Sequence, residues 1–221
     1  MWYDAFVVAA KDLRIELRSR IGVSQVLPFG FVVLMLLAFG LSPDPRLQEQ
    51  VGPGLFWAAV CFAAVLLAQR SVGLELRRGS LDAMRMSGLD PGGLFVGKAA
   101  AVSLQLMVLE AALGVGMVVL YGVSLSDIGE VIAAGVLGAA GLGAAGVLYA
   151  TMAATLGARE TLIPLLLLPV LAPVVLAAAQ VWAVAGGIEP GGHPWLALLG
   201  AFVVVYVAAG VVCYGALLEA N

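Results

Sequence analysis

The sequence predicts an all-α integral membrane protein, with six transmembrane helices preceded by an N-terminal amphipathic interfacial helix. Three observations carry that prediction. Hydrophobic residues make up 62% of the 221-residue chain and charged residues only 11%, a balance outside the soluble globular class. The apolar runs exceed the length of soluble core elements, each nearing the roughly 20 residues that cross a bilayer. Numbering the polar connections alternately puts Lys11, Arg14, Arg18, Arg20, Arg70, Arg77, Arg78, Arg85, Lys98 and Arg159 on one side and only Arg46 on the other. Basic residues in short loops stay cytoplasmic, so both termini are expected inside.

The elements follow in order. Residues 1–20 read as an interfacial helix by period: Trp2, Phe6, Ala9, Leu13 and Leu17 form one stripe, while Asp4, Lys11, Arg14 and Arg18 face the other way. Such a helix lies in the headgroup plane, as a surface anchor or as a docking element for a partner. The rest, 21–221, reads as one membrane domain. Its first span covers 21–41 and ends at the turn-forming Ser42-Pro43-Asp44-Pro45. The others cover 54–70, 98–122, 130–156, 161–185 (closed by Gly186-Gly187) and 194–217.

Two spans have internal texture. The fourth carries Gly135, Ala139 and Gly143 at small-xxx-small spacing, which lets helix backbones approach closely, within the subunit or between subunits. The fifth holds Pro164, Pro169 and Pro173; each interior proline removes an i→i−4 hydrogen bond and favours a kink, in a gating helix or a static one.

Composition excludes several functions. No basic face survives outside the segments next to the membrane, so nucleic acid is not an expected partner. Cys61 and Cys213 both sit in apolar runs, with no CxxC or Cys/His cluster, so no structural zinc, iron–sulfur cluster or covalent haem is expected. A cleaved signal peptide is not expected either, because the charges follow the aromatic start instead of preceding a short apolar region.

One motif is a decoy. Gly92-Gly93-Leu94-Phe95-Val96-Gly97-Lys98-Ala99 nearly matches the phosphate-binding GxxxxGK[ST] loop. Ala99 stands where the magnesium-binding hydroxyl belongs, and the segment enters a membrane span instead of joining strand to helix. Asp90-Pro91 reads instead as the N-cap and first residue of a helix.

The connection over 71–97 carries the most organised polar chemistry. Gly79 suits a helix stop and Ser80 a new cap, predicting a short helix over 80–86 with Leu81, Met84 and Arg85 on one face. A cytoplasmic subunit could grip that helix; the plainer reading is a solvated loop with chance periodicity. Inside the third span, Glu110 is the anomaly, since an ionised group at mid-membrane costs about 3 kcal/mol on insertion scales. Ser103, Glu110, Gly114, Met117 and Tyr121 share its face. Either the carboxyl is neutral and bonded to a neighbouring helix, or it lines a wet path. His193, the sole histidine, reads as an exposed polar residue beside Trp195, with axial haem ligation as the sharper alternative.

The order Glu75-x-x-x-Gly79-x-Leu81-Asp82-x-Met84-x-x-Ser87 resembles the signature before the third span of ABC-2-type permeases. The whole chain resembles the CcmB family. Three further segments support that closer match: the run Lys11 to Arg20, Leu94-Phe95-Val96-Gly97-Lys98, and Thr155-Leu156-Gly157-Ala158-Arg159-Glu160 leading into Leu162 to Pro169. Asp82 stands where Glu is more usual, and Glu110 interrupts a span expected to be uniformly apolar.

The resemblance implies an ABC-2-type permease of a bacterial inner membrane with no ATPase of its own, acting in cytochrome c biogenesis. A separate CcmA-like ATPase would bind the connection: Leu81 and Met84 in a groove, Arg77, Arg78 and Arg85 against acids at its rim, Gly79 and Asp82 within the signature, and Glu75 near Arg159 at the base. CcmC-like and CcmD-like membrane proteins would handle haem and pass it to a CcmE-like periplasmic chaperone, and the ATP cycle would serve either haem export or release of the haem-loaded chaperone. Haem is then a transported or handled ligand, not a firmly bound cofactor. Two rivals stay open: the same architecture exporting a lipid, glycan or drug, and a non-transporting membrane scaffold.

Overall fold

A computed structural model describes residues 1–19, 22–41, 44–77, 88–123, 126–155, 162–188 and 194–219. Every element among them is helical: α1 (Trp2–Ser19), a π-helical turn (Gly22–Val26) running into α2 (Leu27–Gly40), α3 (Pro45–Arg77), α4 (Pro91–Tyr121), α5 (Ile128–Thr155), α6 (Leu162–Ala185) and α7 (Pro194–Glu219). The five helices α3 to α7 are each long and apolar enough to cross a membrane, and the bent pair of α1 and α2 brings the number to six where the pair counts as one span. Counted so, that span is the first in sequence. The 14 residues of α2 rise about 21 Å, and the π-helical turn extends them to about 28 Å, close to a bilayer's hydrocarbon thickness of about 30 Å.

Helix starts are written in aspartates. Asp90 is extended, its Oδ2 accepts from the Gly93 N–H at 2.7 Å, and Pro91 follows at the first helical position. Asp44-Pro45 repeats the device at α3, with Asp44 Oδ1 accepting from the Arg46 N–H at 3.0 Å. Asp127 does the same for α5, accepting from the Glu130 N–H at 3.2 Å. Each satisfies a backbone donor that the first turn leaves unpaired. As a result α3 starts nine residues earlier than the predicted span and continues to Arg77, and α4 starts at Pro91. Neither Ser71-Val72-Gly73 nor the 91–97 segment breaks its helix, so the connection between α3 and α4 narrows to 78–90.

The core lies where α3, α4, α6 and α7 gather round α5, and glycine makes it possible. A Cβ at Gly138 would collide with the buried Trp57 ring of α3, and one at Gly143 with the Ser103 hydroxyl of α4. One at Gly141 would press on Val174 of α6 at 3.2 Å. The small-residue face thus works within the subunit. Phe56, Trp57 and Trp182 form a ring cluster, Phe56 stacked on Trp182 at 4.3 Å and both edge-on to Trp57 at 5.7 Å.

Side chains also bond across helices. Tyr121 OH donates to Leu34 O at 2.9 Å, Trp182 Nε1 to Val131 O at 3.2 Å, and Tyr206 OH to Val170 O at 2.6 Å. Within lipid, where apolar burial gives no drive between helices, such bonds and close packing hold a bundle together. The outward residues are apolar, Leu36, Val119, Val204 and Val212 among them, as lipid-facing surface requires.

Candidate functional site

The helices end on two faces. One carries α1, the end of α3 and the start of α4; the other carries the turns near Arg46, Val123 and Gly187. On the second face Arg46, Glu49 and Gln50 line an open cleft of about 350 Å³ with Gly186, Gly187 and Ile188. The first face holds the organised charge.

There α1 shows three faces instead of the expected two. Its apolar stripe stands outside, with Trp2 76%, Phe6 73% and Leu17 77% exposed, and the basic Lys11, Arg14 and Arg18 are exposed beside it. The third face carries small residues and acids: Ala5 and Val8 are buried, while Asp4, Asp12 and Glu16 are partly buried. This face packs on α4. A Cβ at Gly97 would lie 2.5 Å from Ala5 O, and one at Gly93 2.6 Å from Met1 O, so both positions admit only hydrogen.

The acids then meet their partners. Lys98 Nζ lies 3.5 Å from Asp12 Oδ2, and Lys98 is 1% exposed. Arg70 Nη2, near the end of α3, lies 3.5 Å from Glu16 Oε2 and donates to Ser19 Oγ at 3.1 Å. Asp4 Oδ2 accepts from the N-terminal ammonium at 3.2 Å and from the Asp90 N–H at 3.4 Å. The phosphate-loop decoy thereby gains a physical meaning. Its glycines seat α1, and its lysine is the buried partner of Asp12.

Of the residues assigned to coupling, Arg78, Gly79, Leu81, Asp82, Met84, Arg85 and Arg159 lie outside the described residues, as do the 80–86 helix and His193. Glu75 and Arg77 fall in the last turns of α3, by backbone alone. The structure therefore describes the roots of the connection and not its tip.

Ser103 and Glu110, the polar residues singled out within the third span, are both buried against α5. Ser103 is self-sufficient, its hydroxyl donating to Ala99 O at 2.7 Å. Glu110 is not. It is 6% exposed, Oε2 would touch a Cβ at Gly135 at 3.3 Å, and Oε1 has no hydrogen-bond partner. Trp57 Nε1 and Gln180 Oε1 are likewise buried and unpartnered. Among the described residues no three of His, Cys, Asp and Glu gather as metal ligands, and Cys61 and Cys213 are free thiols.

A bundle of apolar, hydrogen-bonded helices with its organised charge at one end defines an all-α, multi-span membrane protein. The pattern of the CcmB protein family matches residues 4–221, nearly the whole chain, and the chain belongs to that family. It is 29% identical over 170 residues to Heme exporter protein B of Bradyrhizobium diazoefficiens, covering 75% of each chain. Against the protein of the same name from Haemophilus influenzae it is 25% identical over 201 residues, 89% of each. A third, from Paracoccus denitrificans, is 30% identical over 91 residues, which span 41% of this chain and 42% of that protein.

Proposed function

We propose that this chain is the membrane permease subunit of a haem-exporting ABC transporter complex, driven by ATP hydrolysis on a separate cytoplasmic subunit. The observation that carries the reading is the family match over residues 4–221, whose relatives bear the name Heme exporter protein B. The charged end faces the cytoplasm, in keeping with the positive-inside bias. A CcmA-like ATPase grips the 80–86 segment through Leu81 and Met84, with Arg77, Arg78 and Arg85 at the rim and Glu75 and Arg159 at the base. CcmC-like, CcmD-like and CcmE-like proteins receive or relay haem. The chain itself performs no hydrolysis, and Glu110 marks the polar side of α4 within the membrane.

The test is deletion of the gene followed by assay of holo-cytochrome c, with the chain restored on a plasmid. Loss and recovery support the reading; undiminished holo-cytochrome c overturns it in favour of a permease for a lipid, glycan or drug. Reporter fusions after Glu49 and after Glu189 should score external, and those after Gly88 and the C-terminus internal. An external C-terminus removes the six-span topology.

A further inference from the structure

We infer that α1 is a rigid strap across the two roots of the 78–90 connection, with Lys98 and Arg70 as its positioning residues. This rests on the coupling role proposed above for that connection. Arg70 lies about two turns before the end of α3, and Lys98 about two turns after the start of α4. A push on a connection between two independent helices splays them or bends one. If the roots are held at a fixed spacing, the same push moves both spans together.

The strap's contacts are of two kinds, and both are close. On α4, the Gly93 and Gly97 seats bring helix backbones within reach of each other, and Asp4 accepts from the Asp90 N–H where α4 begins. Lys98, 1% exposed, pairs with Asp12. On α3, Arg70 pairs with Glu16 and donates to Ser19. A plain surface anchor would need its apolar stripe alone. Here the acids of α1 are sorted inward, toward two different helices, while Trp2, Phe6 and Leu17 remain outside. The pairing and the two glycine seats together fix where α1 sits along α4.

The strap is tested in membrane vesicles carrying the full complex, with Cys61→Ala and Cys213→Ala as background. Asp12→Cys with Lys98→Cys removes the ion pair and allows a short, reductant-cleavable thiol cross-linker to replace it. Before cross-linking, the ATPase should remain on the complex while ATP-driven haem delivery falls about tenfold, the scale of effect expected along a coupling route. Cross-linking should restore delivery, and reductant should remove it again. Full delivery without the cross-link, or none with it, overturns the strap; the latter outcome would mean that α1 has to detach in each cycle. If the cysteine pair does not insert, Asp12→Lys with Lys98→Asp decides: the swapped pair should deliver haem and Asp12→Lys alone should not, and equal behaviour of the two overturns the inference. A failure of the coupling reading itself shows in the unsubstituted complex, as haem delivery indifferent to ATP, and takes the strap with it. Failure confined to the variants concerns the strap alone.

Discussion

Among the places where glycine admits a close neighbour, the charged end and the middle of the bundle differ in the forces that hold the neighbour. At the charged end, Gly93 and Gly97 seat α1, and ion pairs to Lys98 and Arg70 fix its position. At mid-bundle, Gly138 and Gly143 seat Trp57 and Ser103 with no charge pair, and shape alone sets the fit. Near the water boundary a charge can be partly hydrated and a pair is affordable; in hydrocarbon an ion is costly, so packing and tyrosine or tryptophan hydrogen bonds take over. Damage at the first place should therefore be local, and at the second global.

The sharpest way to break the contrast is Gly138→Val. The Trp57 ring is fully buried and cannot retreat, so overpacking should cost about 3 kcal/mol, the upper end of its usual range. The expected result is a large fall in the apparent melting temperature in detergent. Trp57→Phe in the same chain should recover part of it. Next comes Asp12→Asn, which takes from the buried Lys98 the carboxylate 3.5 Å away. Removing one partner of a buried pair costs more than removing both, and partial exposure of Asp12 discounts the penalty to about 2 kcal/mol. Limited proteolysis should then cut within α1 while the bundle's melting temperature holds, and Asp12→Asn with Lys98→Met should be cut less than Asp12→Asn alone.

Smaller and opposite in sign is Glu110→Leu. It removes a carboxyl oxygen without a partner, so thermal stability should hold or rise by about 1 kcal/mol. Glu110→Gln should insert as well as the parent yet lower cytochrome c maturation; unaltered maturation in both variants would deny this position any part in function. Ser103→Ala should matter least, by a few tenths of a kcal/mol at most, because its hydroxyl bonds only its own helix's Ala99 carbonyl.

The second to sixth spans, their order and the Asp90-Pro91 helix start were legible in the sequence because each rests on local information: an apolar run or a cap. Asp44-Pro45 carried the same signal as Asp90-Pro91, yet the flanking Ser42-Pro43 made it read as a turn. The third face of α1 was written at Asp12 and Glu16, one helical turn apart, but a two-sided view of amphipathicity has no room for it. Its partners could not be read at all, since Lys98 is 86 residues from Asp12 along the chain, and only the fold brings them together. Glu110 stood out as an anomaly from its type and depth. That it faces Gly135 with one oxygen unspent is a property of helix packing, which no single span encodes.

The lengths of α2 and α3 carry a consequence for how the protein sits in lipid. α2, about 28 Å with its π-helical turn, stands beside a 33-residue α3 that rises about 50 Å. The first length is close to the hydrocarbon thickness of about 30 Å, so in the same bilayer α3 has to lean or to carry its ends beyond the headgroups.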